Sequence, residues 1–421
     1  MNRRDFLKGA SAASISLSTL AAGASELQAE QATSPVAPSG PSVKCGVIGL
    51  GERGRDILHT LTQNNNLTPV AICDIYPPFV KRGQSDVPSA IAYSDYHQLL
   101  ADKNVEAVFI STPSQLHKQI VLDALQAGKH VYCEAPLANT VDDAKVIAIA
   151  GQQAAPKQIF QAGLQKRVHP QYLHVKNFII SGALGVIAAS RMQWHKKTSW
   201  RKASPDPQQQ KMLNWRLYQD TSPGLMGELG IHSLDIASWY LNGLPIAATG
   251  YGSIQFWKDD RNVPDTVQAI VEYPNGVRMA SDITLVNSFD ETYEVFLGSQ
   301  SAIFTREDKA WMVNEADAPL EGWIVYARKE QVGDDIGIAL IADATKLLAL
   351  GKDPAKDSQK EQTKSMLYYA LDAFAESIHT GKPSMAGPLD GYQATVAALK
   401  TNEAILTGTR IEFKKEWFTL T

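Results

Sequence analysis

Residues 43 to 61, VKCGVIGLGERGRDILHTL, run from an apolar stretch through a glycine-rich turn into a segment where Ile57, Leu58 and Leu61 recur at helical spacing. Gly49, Gly51 and Gly54 stand between the two in the pattern GxGxxG, with Glu52 and Arg53 inside it. A strand before such a turn and a helix after it let the backbone approach a pyrophosphate, whose charge the helix N-terminus stabilises. Asp74 lies 20 residues past Gly54, at the end of the next apolar run, LTPVAICDIYP. A carboxylate there accepts hydrogen bonds from an adenosine ribose and repels a 2′-phosphate. This favours NAD, while Arg53 and Arg55 beside the turn leave NADP open. An ordinary glycine turn with a surface aspartate would not bring all of these features into register.

Working outward, VEAVFISTP (105–113) and KHVYCEAP (129–136) read as two further strands, with helical stretches at Tyr96 to Ala101 and Leu116 to Ala127, the latter stopped by Gly128. Strand and helix alternating in this way predict a doubly wound parallel sheet over residues 43–165. From Gly185 the pattern changes. Stretches such as VIAASRMQWH and YEVFLGSQSAIFTRE alternate as antiparallel strands, and Pro274-Asn275-Gly276 is a hairpin turn, so residues 166–421 are expected to form a second domain on an open sheet. Helices are expected at Met226 to Leu241 and at Lys364 to Thr380, ending at Gly381.

The 421 residues are 44% hydrophobic, enough to bury a large core in two domains. A formal charge of -4 gives no electrostatic case for nucleic acid. No apolar run reaches the ~18 residues of a membrane span. Three cysteines, Cys45, Cys73 and Cys133, sit in apolar runs without CxxC spacing and read as buried free thiols, neither a disulfide framework nor a metal site. The N-terminus reads as a targeting segment: Arg3-Arg4 precede Phe6-Leu7-Lys8, an apolar stretch and the small-residue site Ala22-Gly23-Ala24. Residues 1–29 are therefore expected to be a twin-arginine signal peptide and 30–42 a linker, which makes export to the periplasm the expected location.

A second informative stretch is GLMGELGIHSLDIASWYLNG (224–243). Glu228, His232 and Asp235 fall on one face of a helix there. A carboxylate, histidine and carboxylate in a row suit proton handling, because the imidazole titrates near neutrality and a neighbouring carboxylate can orient it. The same spacing also serves a metal pair or a salt-bridged helix surface. Just upstream, Trp194, His195, Trp200, Arg201, Trp215, Arg216 and Tyr218 concentrate aromatic and cationic groups that suit a sugar or, equally, core packing. Lys166 and Arg167 follow the first domain's last strand and are further substrate-contact candidates.

The glycine turn, Asp74, STPSQLHKQIVLDALQAGKHVYCEAPLA (111–138) and GELGIHSLD (227–235) together resemble the Gfo/Idh/MocA family of glucose-fructose oxidoreductase and inositol dehydrogenase, over roughly residues 43 to 410. The resemblance implies a Rossmann domain, then an α/β domain with an open, mostly antiparallel sheet, a family dimerisation surface that makes a homo-oligomer expected. It implies hydride transfer between a nicotinamide and a sugar, cyclitol or related polyol. Carried over by position, Thr112, Pro113 and His117 lie beside the cofactor, and Glu134 and Pro136 match the Glu and Pro of a Glu-Lys-Pro motif. His232 matches the catalytic histidine, with Glu228 and Asp235 its acidic companions. Ala135 stands where the family has its catalytic lysine.

Without that lysine, His232 oriented by Glu228 or Asp235 is the expected acid/base, with Tyr132, Lys166 and His169 as other candidates. An exported protein has no nicotinamide pool to exchange with, so a tightly bound cofactor and a redox-neutral cycle are expected. The resemblance offers an oxidoreductase acting on a sugar or polyol, an NAD-dependent glycoside hydrolase working by transient C3 oxidation and elimination, or a cofactor-bound sugar-binding protein without catalysis.

Overall fold

The structure is a computed structural model that describes residues 40–204, 206–319, 324, 327–342 and 364–420. The expected signal peptide (1–29) and linker residues 30–39 lie outside the described residues.

Six strands, β1 (Val43–Ile48), β2 (Leu67–Cys73), β3 (Ile91–Tyr93), β4 (Ala107–Ile110), β5 (His130–Cys133) and β6 (Phe160–Ala162), form one sheet. Their order is β3-β2-β1-β4-β5-β6, with parallel pairing throughout. The order reverses between β1 and β4, so the crevice at the C-terminal ends of these two strands is where such a sheet takes its ligand. The turns after β1, β2, β4 and β5 carry Gly49, Asp74, Thr112 and Glu134, which brings four well-separated pieces of sequence to one edge.

Ten more strands, β7 (Ile187–His195), β8 (Ala247–Ser253), β9 (Thr266–Glu272), β10 (Arg278–Thr284), β11 (Thr292–Gly298), β12 (Ser301–Arg306), β13 (Lys309–Asn314), β14 (Lys329–Val332), β15 (Asp335–Leu340) and β16 (Ile411–Glu412), form the second sheet. Its order is β14-β15-β13-β12-β11-β7-β10-β9-β8-β16, antiparallel except for the parallel pair β7 and β10. Buried Val267, Ala269 and Val271 alternate with exposed Gln268 and Ile270, so one face is covered and the other open. The hairpin at Pro274–Gly276 forms as expected, with Asn275 at φ +64° supplying the left-handed residue.

Two helices of the C-terminal region tie the domains together. Met366–Thr380 is capped by the Ser365 side chain and ended by Gly381 in the left-handed region. It lays Leu367, Ala370, Leu371 and Phe374 against the first sheet, in one core with Val47, Phe109 and Tyr132. The Phe374 ring sits 5.5 Å from that of Phe109 and 5.9 Å from that of Tyr132. Pro388–Thr407 packs against Val141–Ala154, Ile231–Tyr240 and β8. Because it buries residues around most of its circumference, it lacks the one-sided stripe that marks a surface helix in sequence.

Candidate active site

The glycine turn shows three distinct requirements. Gly49 has φ +91°, and a Cβ there would meet the Ser111 and Thr112 backbone at 2.8 Å. A Cβ on Gly54 would lie 1.8 Å from the Gly49 carbonyl oxygen, so only glycine lets the helix Glu52–Thr62 start against the strand. Gly51 has open space where its Cβ would be, over the crevice. Close approach is therefore available where a pyrophosphate needs it.

The crevice is a groove of about 670 Å³ lined by Gly49, Gly51, Glu52, Arg53, Asp74, Ile75, Thr112, Pro113 and, from the second domain, Trp215 and Arg216. Asp74 is held by two amides: Leu50 N donates to Oδ2 and Tyr76 N to Oδ1, each at 2.7 Å. Burial raises its carboxyl above the usual range. Buried Thr112 Oγ1, Ser114 Oγ and Gln115 Oε1 have no hydrogen-bond partner among the described residues. Buried polar atoms are ordinarily satisfied; Thr112 and Gln115 line the groove and Ser114 the cavity at its end, which fits a polar ligand laid along them, as a dinucleotide would be.

At its inner end the groove meets a cavity of about 260 Å³ lined by Arg53, Thr112, His117, Glu134, Ala135, Pro136, Gln165, Trp215, Arg216, Glu228 and His232. His117, buried, ties the two first-domain turns together: Nε2 lies 2.9 Å from the Thr112 carbonyl, and Nδ1 lies 3.1 Å from that of Pro136. Arg53 crosses to Glu134 with Nε to Oε1 at 2.8 Å. Arg55 points away and pairs with Asp86 at 2.9 Å. Both arginines near the turn thus have carboxylate partners.

The second-domain face departs from the expected proton row. Met226–Gly230 is one π-helical turn running into the helix Ile231–Tyr240, which changes the phase between Glu228 and His232. Glu228 is held by Arg216, Nε to Oε2 at 2.6 Å, and Arg216 in turn lies over the Trp215 ring at 4.5 Å. Asp235 is gripped by Arg167 through Nε and Nη2, at 2.9 and 2.7 Å, while Arg167 Nη1 reaches Asp390 at 2.6 Å. Each carboxylate is therefore committed to an arginine, and neither orients His232. Asp235 and Arg167 lie outside the cavity lining and, with Asp390, cross-link three segments.

Lys166 likewise pairs with Glu294, a carboxylate only 4% exposed that also accepts from Ser233 Oγ at 2.8 Å and Tyr172 Oη at 3.1 Å. Tyr218 does not line the cavity, and Lys211 lies over its ring at 5.8 Å. Tyr132 faces the opposite side of the first sheet, against Phe374, because successive strand residues alternate faces. His169 caps the helix Pro170–Ile180. Of the expected substrate and base residues, Trp215, Arg216, Glu228 and His232 are the ones brought together. Sequence reasoning missed Gln165 and Glu294. The latter had a signal: it shares strand parity with buried Phe296.

Electrostatics set His232 and Glu228 apart. Burial, with the positive charges of Lys166 and Arg53, pushes the His232 imidazole down to about 3, so it is neutral and weakly basic at pH 7. Burial raises Glu228 above the usual carboxylate range, with Arg216 opposing. Glu228 Oε1 is buried without a partner. An unsatisfied carboxylate oxygen of raised basicity is a better proton acceptor than this imidazole.

The depressed histidines also set an acid limit on stability. His232 at about 3 and His169 at about 4 are both lowered first by burial, as are His117, His130 and His174. In the unfolded chain they take up protons near 6.5. Their contribution is complete above about pH 6.5 and is lost as pH falls toward 4 and 3, on the order of 1.4 kcal/mol per pH unit for each histidine protonated only when unfolded. Denaturant midpoints should fall steadily between pH 6.5 and 4; a flat profile there would contradict histidines held neutral by the fold.

A reversing parallel sheet with a glycine turn at its switch point, facing a second domain that closes one end of the groove, defines a nucleotide-binding two-domain α/β protein. A family profile described as "Oxidoreductase family, NAD-binding Rossmann fold" matches residues 43–158, and one described as "GFO/IDH/MocA C-terminal domain" matches residues 172–303. The chain belongs to the Gfo/Idh/MocA oxidoreductase family. An inositol 2-dehydrogenase/D-chiro-inositol 3-dehydrogenase of Lactiplantibacillus plantarum is 30% identical over 47% of this chain and 52% of its own length. The chain thus aligns with about half the length of such curated relatives. Among solved structures, a levoglucosan dehydrogenase in complex with NADH and L-sorbose has a TM-score of 0.71 at 19% identity, covering 89% of this chain and 100% of its own. An aldose-aldose oxidoreductase from Caulobacter crescentus has a TM-score of 0.67 at 20% identity, covering 88% of this chain and 100% of its own. These two likenesses support the fold.

Proposed function

We propose that the chain is an NAD-dependent oxidoreductase that moves hydride between the nicotinamide and a carbon of a sugar or polyol. The observation that carries this reading is the shared cavity, in which Glu134 and Pro136 at the inner end of the groove face Glu228 and His232. Its volume of about 260 Å³ lies just below the roughly 300–1,000 Å³ of drug-sized sites, as suits one small polyol. The names of the relatives point to the same substrate class. NAD is favoured over NADP because Asp74 lines the groove while Arg53 is paired with Glu134 and Arg55 with Asp86.

Bound NAD supplies the hydride acceptor. The chain's own residues handle the proton: Glu228 Oε1 takes it from the reacting hydroxyl, Arg216 fixes the carboxylate, and neutral His232 hydrogen-bonds the same hydroxyl. Trp215 offers an apolar face to the ring. We place the protein in the periplasm after twin-arginine export, from the N-terminal sequence, and expect the open face of the second sheet, where Tyr251 is 71% exposed, to be covered by a second copy.

Ala135 lines the cavity where the family's lysine would stand, and this favours a second reading, NAD-dependent glycoside cleavage without net oxidation. One experiment separates the two. Protein is denatured to release and identify its nucleotide, and native protein is offered free sugars, polyols and aryl glycosides with no added cofactor. Hydride exchange between free sugars or polyols is the expected result. Aryl release without net NADH would instead assign the hydrolase, and neither activity with nucleotide bound would leave a sugar-binding protein.

A further inference from the structure

The outer wall of the nucleotide groove comes from a segment that no motif marked. Met212 and Leu213, at the end of the short helix Pro207–Leu213, line the groove with Trp215 and Arg216, opposite Gly51, Glu52 and Asp74. Asp206 caps this helix by accepting from Gln208 N at 2.9 Å, and Pro207 occupies its first turn. Asn214, 2% exposed, anchors the far end: its side chain donates to the Lys202 and Gln210 carbonyls at 2.8 and 2.7 Å and accepts from Lys202 N at 2.7 Å. The segment is thus held as a unit from its base.

Its groove-facing side is apolar and incompletely covered. Met212 is 37% exposed, and on the opposite wall Ile75 is 64% and Leu116 44% exposed. Apolar groups facing each other across a groove gain burial when a flat ring lies between them. Lys202 adds an ion pair to Glu52 at 3.4 Å that bridges the domains. Both partners are well exposed, so this contact guides closure and contributes little to its strength.

We propose that Met212 and Leu213 complete the nucleotide site as a retaining wall from the second domain, so that the dinucleotide is carried by the protein and not exchanged between turnovers. This rests on the reading that the groove takes NAD. It assigns slow release to contacts from outside the nucleotide-binding sheet. Departure then requires the helix Pro207–Leu213 to swing away, and the effect of opening it falls on the release rate more than on association.

The test uses the full chain loaded with NADH, freed of unbound nucleotide by gel filtration and diluted into excess NAD, with NADH fluorescence followed over time. Met212→Ser/Leu213→Ser is expected to speed release by about tenfold or more, and Met212→Leu alone to leave it within twofold. Lys202→Glu, an exposed change that cannot unfold the core, should speed release by a smaller factor through repulsion from Glu52. Release from the double variant and from Lys202→Glu at the parent rate overturns the wall. If the parent loses its NADH on the column yet still binds it in an equilibrium fluorescence titration, retention is overturned and the dinucleotide reading stands; no binding in the titration ends both.

Discussion

Glu228→Gln is expected to lower kcat by about 10²- to 10⁴-fold, the range that a positioned general base contributes, while nucleotide binding stays intact. The amide keeps the size of the side chain and a hydrogen bond to Arg216, but it cannot take the hydroxyl proton. His232→Ala should also lower kcat, since it removes the group that orients the hydroxyl. The pH profile separates the two roles. With a carboxylate as base, activity falls as pH drops through a Glu228 pKa held above the ordinary range by burial, and that acid limb should persist in His232→Ala while the residual activity of Glu228→Gln loses it. An acid limb that vanishes in His232→Ala and survives in Glu228→Gln would return the proton to the histidine.

Arg167→Met should destabilise the protein by about 3–5 kcal/mol, because it leaves buried Asp235 without its counter-charge. Asp235 is 3% exposed and takes three of the hydrogen bonds that Arg167 makes, and Asp390 takes another. Arg167 follows β6, Asp235 lies on the helix that carries His232, and Asp390 lies at the start of Pro388–Thr407, so the loss loosens three segments together. Urea midpoints measure it. Arg167→Met/Asp235→Asn should recover part of the loss, since the buried charge is then gone. A single substitution costing under about 1 kcal/mol would show instead that the pair behaves as an exposed one.

These two sites mark where sequence reading succeeded and where it stopped. The glycine turn, Asp74 and the strand before Glu134 were legible because local spacing sets them: the helices Tyr96–Ala101 and Met366–Thr380 fall within a few residues of their expected ends. That Ala135 and His232 line one cavity is a meeting of two domains that neither motif's spacing reports. The partners were not legible. Arg53 with Glu134, Lys166 with Glu294 and Arg167 with Asp390 are separated by 81, 128 and 223 residues, and no periodicity reports such pairs. The π-helical turn at Met226–Gly230 was also hidden, because the spacing of Glu228, His232 and Asp235 reads as a regular α-helix throughout.

The helix Met366–Thr380 has a consequence for how the protein is made. It covers one side of the nucleotide sheet, yet it leaves the ribosome some 200 residues after β6 closes that sheet. Chains otherwise tend to fold from the N-terminus as they are synthesised. Here Val47, Phe109 and Tyr132 share a core with Ile57, Leu58 and Leu61 of the early helix Glu52–Thr62, but lack the cover of Leu367, Leu371 and Phe374 until nearly the whole chain has emerged. The sheet under the nucleotide groove therefore gains its full apolar cover late, although the residues that line the groove lie between Ile48 and Arg216.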